Sequence, residues 1–222
     1  PESKLKPKAF WKGAEDLACR HETDPILAYM KLMLDKARSS GCVAISKQAF
    51  SSYGKSVKLY NGVESWFGRV NSYAQKRGIK IEHYILSSGI KEMIEGTKIS
   101  KFFREIYACS FMYDQHQVAQ WPAVAVNYTT KTQFLFRINK GIQKFSDNAL
   151  VNNFIAEKDR RIPFSRIIYL GDGDTDIPCM KLVKDYGGHS IAVYNPKKKQ
   201  KKLIAKRLFE EGRVNCFAEA IF

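Results

Sequence analysis

Residues 166–170, Arg-Ile-Ile-Tyr-Leu, run without a break into Gly171-Asp172-Gly173-Asp174-Thr175-Asp176, and this junction constrains the chain more than any other stretch. A short apolar run rich in β-branched and aromatic residues reads as a buried parallel strand. A loop at the carboxyl end of such a strand is where open α/β sheets bind their ligands. The glycines let the backbone turn tightly. Three carboxylates within five residues repel one another unless a cation sits among them, and hard oxygen donors suit Mg²⁺. An acidic turn whose Asp caps the following helix satisfies the same residues, so both readings stand at this point.

The surrounding pattern alternates helix and strand. Thr23-Asp24-Pro25 is a helix start, with a capping side chain ahead of a first-turn proline. Ile26, Leu27, Met30, Met33, Leu34 and Ala37 follow at helical spacing, and Gly41 ends the run. Shorter helices are expected over Phe10 to Cys19 and near Lys47 to Tyr53, so the first 60 or so residues read as a helical unit with no strand. Val63, Trp66, Phe67, Val70, Tyr73 and Ala74 form the next helical face, closed by Gly78. Strands are expected over Ile79 to Leu86, ending in Ser87-Ser88-Gly89, and over Ile106 to Phe111. Turn-like sequence is expected from there to about Tyr128, then a helix over Lys131 to Ile138. After the acidic loop come a helix carrying Met180, Leu182 and Val183, a strand over His189 to Val193, and a basic helix over Lys198 to Glu211. This rhythm is that of an α/β fold with a mainly parallel sheet, and the best domain boundary lies near residue 60.

Two more positions bear on chemistry. Ser87, or Ser88 one register away, ends a strand ahead of a helix, where a hydroxyl beside open backbone N–H groups can hold a phosphate oxygen; a plain helix cap is the alternative. Lys131 opens a helix after Tyr128-Thr129-Thr130 and can neutralise phosphate as a point cation, although most lysines in such places face solvent.

A strand-ending Ser, a helix-starting Lys and a strand-ending GDGxxD, in that order, resemble motifs two, three and four of the haloacid dehalogenase superfamily. Here they read YILSSG, YTTKTQFLF and IIYLGDGDTDIP. The resemblance covers roughly residues 61 to 195 and is nearest to the phosphoserine-phosphatase-like branch. It implies a three-layer, Rossmann-like α/β core over residues 61–222 with a small helical cap, to which residues 1–60 correspond. It implies a Mg²⁺-dependent phosphomonoester hydrolase acting on a small phosphorylated metabolite through an aspartyl-phosphate. In that scheme Ser87, with Ser88 as substitute, hydrogen-bonds the phosphoryl group. Lys131 stabilises its charge, Asp172 binds Mg²⁺, and Asp176 supports the metal through water or orients Lys131. Asp174 occupies a variable position and carries no role.

One motif of that superfamily is missing. D-x-D-x-[TV], whose first Asp is the nucleophile and whose second is the acid and base, does not occur upstream of residue 61. In the family fold its strand is central, and buried backbone groups left unpaired in its place would each cost about 1–3 kcal/mol. The expectation is therefore that about 30 further residues, in a preceding segment or a second chain, carry the central strand and both acids. A degenerate homologue that only binds phosphate or a partner is the alternative.

Composition narrows the classes. Net charge is +15, with Lys4, Lys6, Lys8 and Lys12 at one end and Lys197 to Lys202 near the other. Such charge favours anionic partners or a solvated surface, and a nucleic-acid end phosphatase or binder stays in view. No aromatic interleaving accompanies the lysines. Five cysteines, an odd number with none in C-x-x-C, argue against a disulfide framework or a structural zinc site and make a reducing cytoplasm the simpler expectation. Cys19 and His21 have no second pair to complete a metal site. No apolar run approaches a membrane span. Gly54-Lys55-Ser56 lacks the rest of a Walker loop. Trp11, Trp66 and Trp121 are expected in the core or at a cap contact. Asp114 and His116 suit a surface loop or a substrate entrance.

Overall fold

The computed structural model describes residues 6–41 and 43–222, so Lys4 and Cys42 lie outside the described residues. In chain order the elements are α1 (Pro7–His21), α2 (Pro25–Ser40), α3 (Lys47–Gly54), α4 (Val63–Gln75), β1 (His83–Ile90), α5 (Lys91–Glu95), β2 (Phe103–Tyr113), β3 (Ala119–Val124), α6 (Thr130–Lys140), α7 (Asn148–Asn152), β4 (Ile168–Gly171), α8 (Ile177–Asp185), β5 (His189–Tyr194), α9 (Lys199–Glu210) and β6 (Cys216–Glu219). The class is α/β with mainly parallel pairing: β1 with β2, β4 with β5 and β5 with β6 run parallel, and only β2 with β3 runs antiparallel. The strands form two three-stranded sheets, β1-β2-β3 and β4-β5-β6. That pattern is compatible with a Rossmann-like fold.

The chain divides into two compact units. One joins the residues up to Lys58 to His83–Asn127; the other joins Leu59–Glu82 to Tyr128–Phe222. The first crossing between them lies between Lys58 and Leu59, and β1, β2 and β3 belong to the unit that holds the N-terminal helices.

In the first unit, α2 starts as its sequence requires. Asp24 Oδ1 accepts from the N–H groups of Ile26 (2.7 Å) and Leu27 (3.1 Å), and Gly41 closes the helix at φ 61°. Ile26, Met30, Leu34 and Ala37 are buried, whereas Leu27 lies outside the buried stripe. Gly54 and Gly96 let α3 approach α5: a Cβ on either would sit 2.0 Å from a backbone oxygen of the other segment.

Several expectations need correction. β1 begins at His83 rather than Ile79, where pairing with β2 starts. It also continues through Ser87-Ser88-Gly89. The ladder steps from Ser87↔Ala108 straight to Ile90↔Cys109, so Ser88 and Gly89 form a bulge within the strand. The stretch expected to be turn-like contains β3, opposite the far end of β2. Pro122 disguises it, being tolerated because β3 is an edge strand. The hairpin loop carries no glycine; Gln117 takes the left-handed conformation at φ 59°. Asp114 organises the loop by accepting from the N–H groups of His116 and Val118, both at 2.9 Å. Those bonds, that from Val118 foremost, hold its carboxyl below the usual range. Trp11 and Trp121 are not core residues, being 58% and 67% exposed.

In the second unit β4, β5 and β6 are linked through α8 and α9, two successive strand-helix-strand crossovers. β6 is four residues long and was not foreseen. β4 is not buried on both faces. Tyr169 is buried at 7%, but Ile168 is 65% exposed, so alternate residues of β4 face the interior and solvent. Arg137 is buried on α6, its guanidinium donating to the carbonyls of Lys144 (2.8 Å) and Phe145 (3.3 Å) and to the side chain of Asn148. Among the described residues no helix is long and apolar enough to cross a membrane.

Candidate functional site

The acidic loop is built by its own geometry. β4 ends at Gly171, a single 3-10 turn spans Asp174–Asp176, and α8 starts at Ile177 with Pro178 in its first turn. The turn sends Asp176 back against the strand. A Cβ on Gly171 would lie 2.5 Å from the Asp176 Cβ, so only glycine leaves room there. Asp172 and Asp174 are exposed. The three carboxylates expected to crowd are thus divided, with Asp176 buried and the other two at the surface.

Both oxygens of the inward carboxylate are hydrogen-bonded. Asp176 Oδ1 accepts from Lys131 Nζ at 2.7 Å and from the Tyr169 hydroxyl at 2.7 Å; Oδ2 accepts from the Gly173 N–H at 3.2 Å. Lys131 is 3% exposed and Asp176 7%, so the helix-starting lysine is not the solvent-facing residue that its type suggests. Lys131 also donates to Thr175 Oγ1 at 3.0 Å. An ammonium has three N–H groups; two are taken, and one remains for another acceptor. A buried ion pair of this kind adds little net stability, but removing one partner strands a buried charge.

Tyr169, Thr175 and Cys179 were not singled out from the sequence. Tyr169 sits two residues before Gly171 on the same face of β4, and that period-two spacing could have identified it. Its hydroxyl pKa is driven upward by burial first and by the Asp176 charge second. Cys179, fully buried on α8, has its thiol pushed up to about 11 by burial, against the opposing influence of Tyr169 and Lys131.

Ser87 and Ser88 lie in the other unit, in the β1 bulge. Ser87 Oγ accepts from the Gly89 N–H at 3.0 Å, so one backbone donor expected for a ligand is already used locally. The Ser88 carbonyl accepts from the Tyr29 hydroxyl at 2.6 Å and from the Cys109 thiol at 3.4 Å. The Ser88 hydroxyl oxygen is buried with no hydrogen-bond partner among the described residues.

Among the described residues no group of three or more His, Cys, Asp or Glu side chains gathers around one point. Asp172 is nevertheless an exposed carboxylate at a strand end, and Asp176 Oδ2 accepts a single hydrogen bond. Mg²⁺ is commonly held by one or two carboxylates with water and substrate phosphate completing its shell. Asp172, with Asp176 behind it, fits that partial role and not a closed cage.

No protein-family model matches the chain. A protein of Borreliella burgdorferi strain B31, described as "Uncharacterized protein", is 26% identical over 238 residues, covering 96% of this chain and 80% of its own length. The likeness therefore spans both units and is not confined to the acidic loop.

Proposed function

We propose that the protein is a phosphomonoester hydrolase of the haloacid dehalogenase type, acting on a small phosphorylated metabolite. The observation that carries this reading is the burial of Lys131 against Asp176 and Thr175, beside a GDGDTD loop at the carboxyl end of a parallel strand. A buried lysine held in one orientation, with one N–H to spare, suits a phosphoryl oxygen. Asp176 and Tyr169 keep that ammonium in place. Ser87 is the proposed hydrogen-bond donor to the phosphoryl group. Asp172 is the proposed Mg²⁺ ligand, with Asp176 in support. The metal would supply charge neutralisation on the phosphoryl oxygens. The described cysteines are thiols, which suits a reducing compartment.

One sequence observation favours a second reading. No D-x-D-x-[TV] is present to provide the attacking carboxylate, and a protein that keeps the remaining groups can bind phosphate without turnover.

The test is p-nitrophenyl phosphate hydrolysis by the natural protein. Mg²⁺-dependent turnover that falls at least about 100-fold in Lys131→Met, and is also lost in Asp172→Asn, is the expected result. Phosphate binding that Lys131→Met removes, without turnover in any form, would establish the binding protein instead. Neither binding nor turnover sinks both.

A further inference from the structure

Asn61-Gly62 is the only asparagine–glycine pair in the chain, and α4 starts directly after it. The pair forms a turn. The Val63 N–H donates to the Tyr60 carbonyl at 3.2 Å, and Gly62 sits at φ 88° and ψ −15°. Asn61 is not among the residues at positive φ, so the turn is type II, with glycine at its third position. Both residues are exposed. The Asn61 side-chain amide and the Gly62 N–H have no hydrogen-bond partner among the described residues. The Asn61 carbonyl is held, because the Phe222 N–H donates to it at 3.1 Å. A Cβ on Gly62 would lie 1.5 Å from the Phe222 carbonyl oxygen, and Trp66 on α4 meets the Phe222 ring edge-on at 6.0 Å. The turn therefore joins the start of α4 to Phe222, with no room for added atoms.

A side-chain carbonyl followed by glycine is chemically exposed, because no Cβ shields the next backbone nitrogen. One other Asn or Asp in the chain precedes glycine, at Asp172-Gly173. There the Gly173 N–H donates to Asp176 Oδ2 at 3.2 Å, which keeps its hydrogen in place. The Gly62 nitrogen has no such acceptor and faces solvent. Asn61 also carries an amide, whose leaving group is ammonia, where Asp172 would have to expel an oxygen.

We propose that Asn61 is a site of spontaneous deamidation, and that its isoaspartate product unfastens Phe222 from the start of α4. The Gly62 nitrogen attacks Asn61 Cγ. The new N–Cγ bond forms, the Cγ–Nδ2 bond breaks, and Nδ2 leaves as ammonia with the hydrogen that Gly62 gives up. Water then opens the resulting succinimide. Cleavage at Cγ gives aspartate; cleavage at the backbone carbonyl gives isoaspartate, whose main chain is one methylene longer. Nitrogen and Cγ meet only when the turn rotates open, and the bonds from Val63 to Tyr60 and from Phe222 to Asn61 oppose that rotation. The folded protein therefore reacts more slowly than the unfolded chain. The two products differ in effect. Aspartate keeps the backbone and places a carboxylate ahead of a helix with no side-chain cap, where the helix dipole favours it. Isoaspartate shifts a joint that has no space for even a Cβ.

The test is incubation of the full protein in mildly alkaline buffer, folded and in urea, followed by peptide mapping with fragmentation that separates isoaspartate from aspartate. In the folded protein isoaspartate should accumulate at position 61 before any other asparagine reacts and before Asp172 isomerises, and urea should speed it. Hydrogen exchange of the modified fraction should show lost protection at the Phe222 amide and the first turn of α4. The Asn61→Asp variant, measured fresh, should keep that protection. A folded protein that forms no isoaspartate at position 61 while the unfolded chain does, or that forms it as fast at Asp172, would overturn the site. Unchanged exchange at Phe222 in the modified fraction would overturn the unfastening. Lost protection in fresh Asn61→Asp would assign the effect to charge, and overturn the part given to the lengthened backbone.

Discussion

The loop that follows β4 and the bulge within β1, one in each unit, solve the same local problem differently. The loop after β4 carries charge and ties it down: Asp176 receives Lys131, Tyr169 and the Gly173 N–H, all within 3.2 Å. The β1 bulge carries only hydroxyls and is held through its backbone, where Tyr29 donates to the Ser88 carbonyl while the Ser88 hydroxyl has no partner among the described residues. A buried charge must be compensated completely or the fold fails, whereas a buried hydroxyl can go unsatisfied at a cost of about 1–3 kcal/mol. The acidic loop is therefore expected to be rigid before any ligand arrives. The serine bulge holds a polar group still lacking a partner.

That contrast can be broken by substitution. The largest effect is expected for Asp176→Ala, which leaves Lys131 buried without its counter-charge and should cost about 3–5 kcal/mol in urea unfolding. A loss under 1 kcal/mol would mean that water reaches Lys131 and that the network is not closed. The middle effect compares two tyrosines. Tyr169→Phe removes a bond to a carboxylate and should cost about 1.5–3 kcal/mol, whereas Tyr29→Phe removes a bond to a neutral carbonyl and should cost about 0.5–1.5 kcal/mol. Equal losses would erase the distinction between the loops. The smallest effect is expected for Ser88→Ala. Deleting an unsatisfied buried hydroxyl should leave stability unchanged or raise it by up to about 1 kcal/mol. A clear loss would show that Ser88 has a partner after all, such as an ordered water.

Local chemistry was legible in the residues. The start of α2 at Asp24-Pro25 and its stop at Gly41 follow from capping and backbone freedom, which act over a few neighbouring positions. The strand-loop-helix at 168–185 was legible for the same reason, since apolar run, glycine turn and helical spacing are contiguous. β3 was not: its proline and its glycine-free hairpin conceal a strand that exists because β2 has an edge to pair with. The extent of β1 was misread because pairing, rather than apolar character, decides where a strand starts, and Ile79 and Ile81 have no partner in the ladder.

By itself, then, the sequence determined the α/β class, most helix boundaries, and the choice of Lys131 and Asp176 as residues to examine together. Only the tertiary structure decided that Asp176 is buried while Asp172 and Asp174 are exposed, and that Lys131 and Tyr169 both bond to its carboxylate. Spacing along the chain reports which residues share a strand or a helix face. Burial and pairing depend on which elements pack together, and that is set by contacts between residues far apart in sequence.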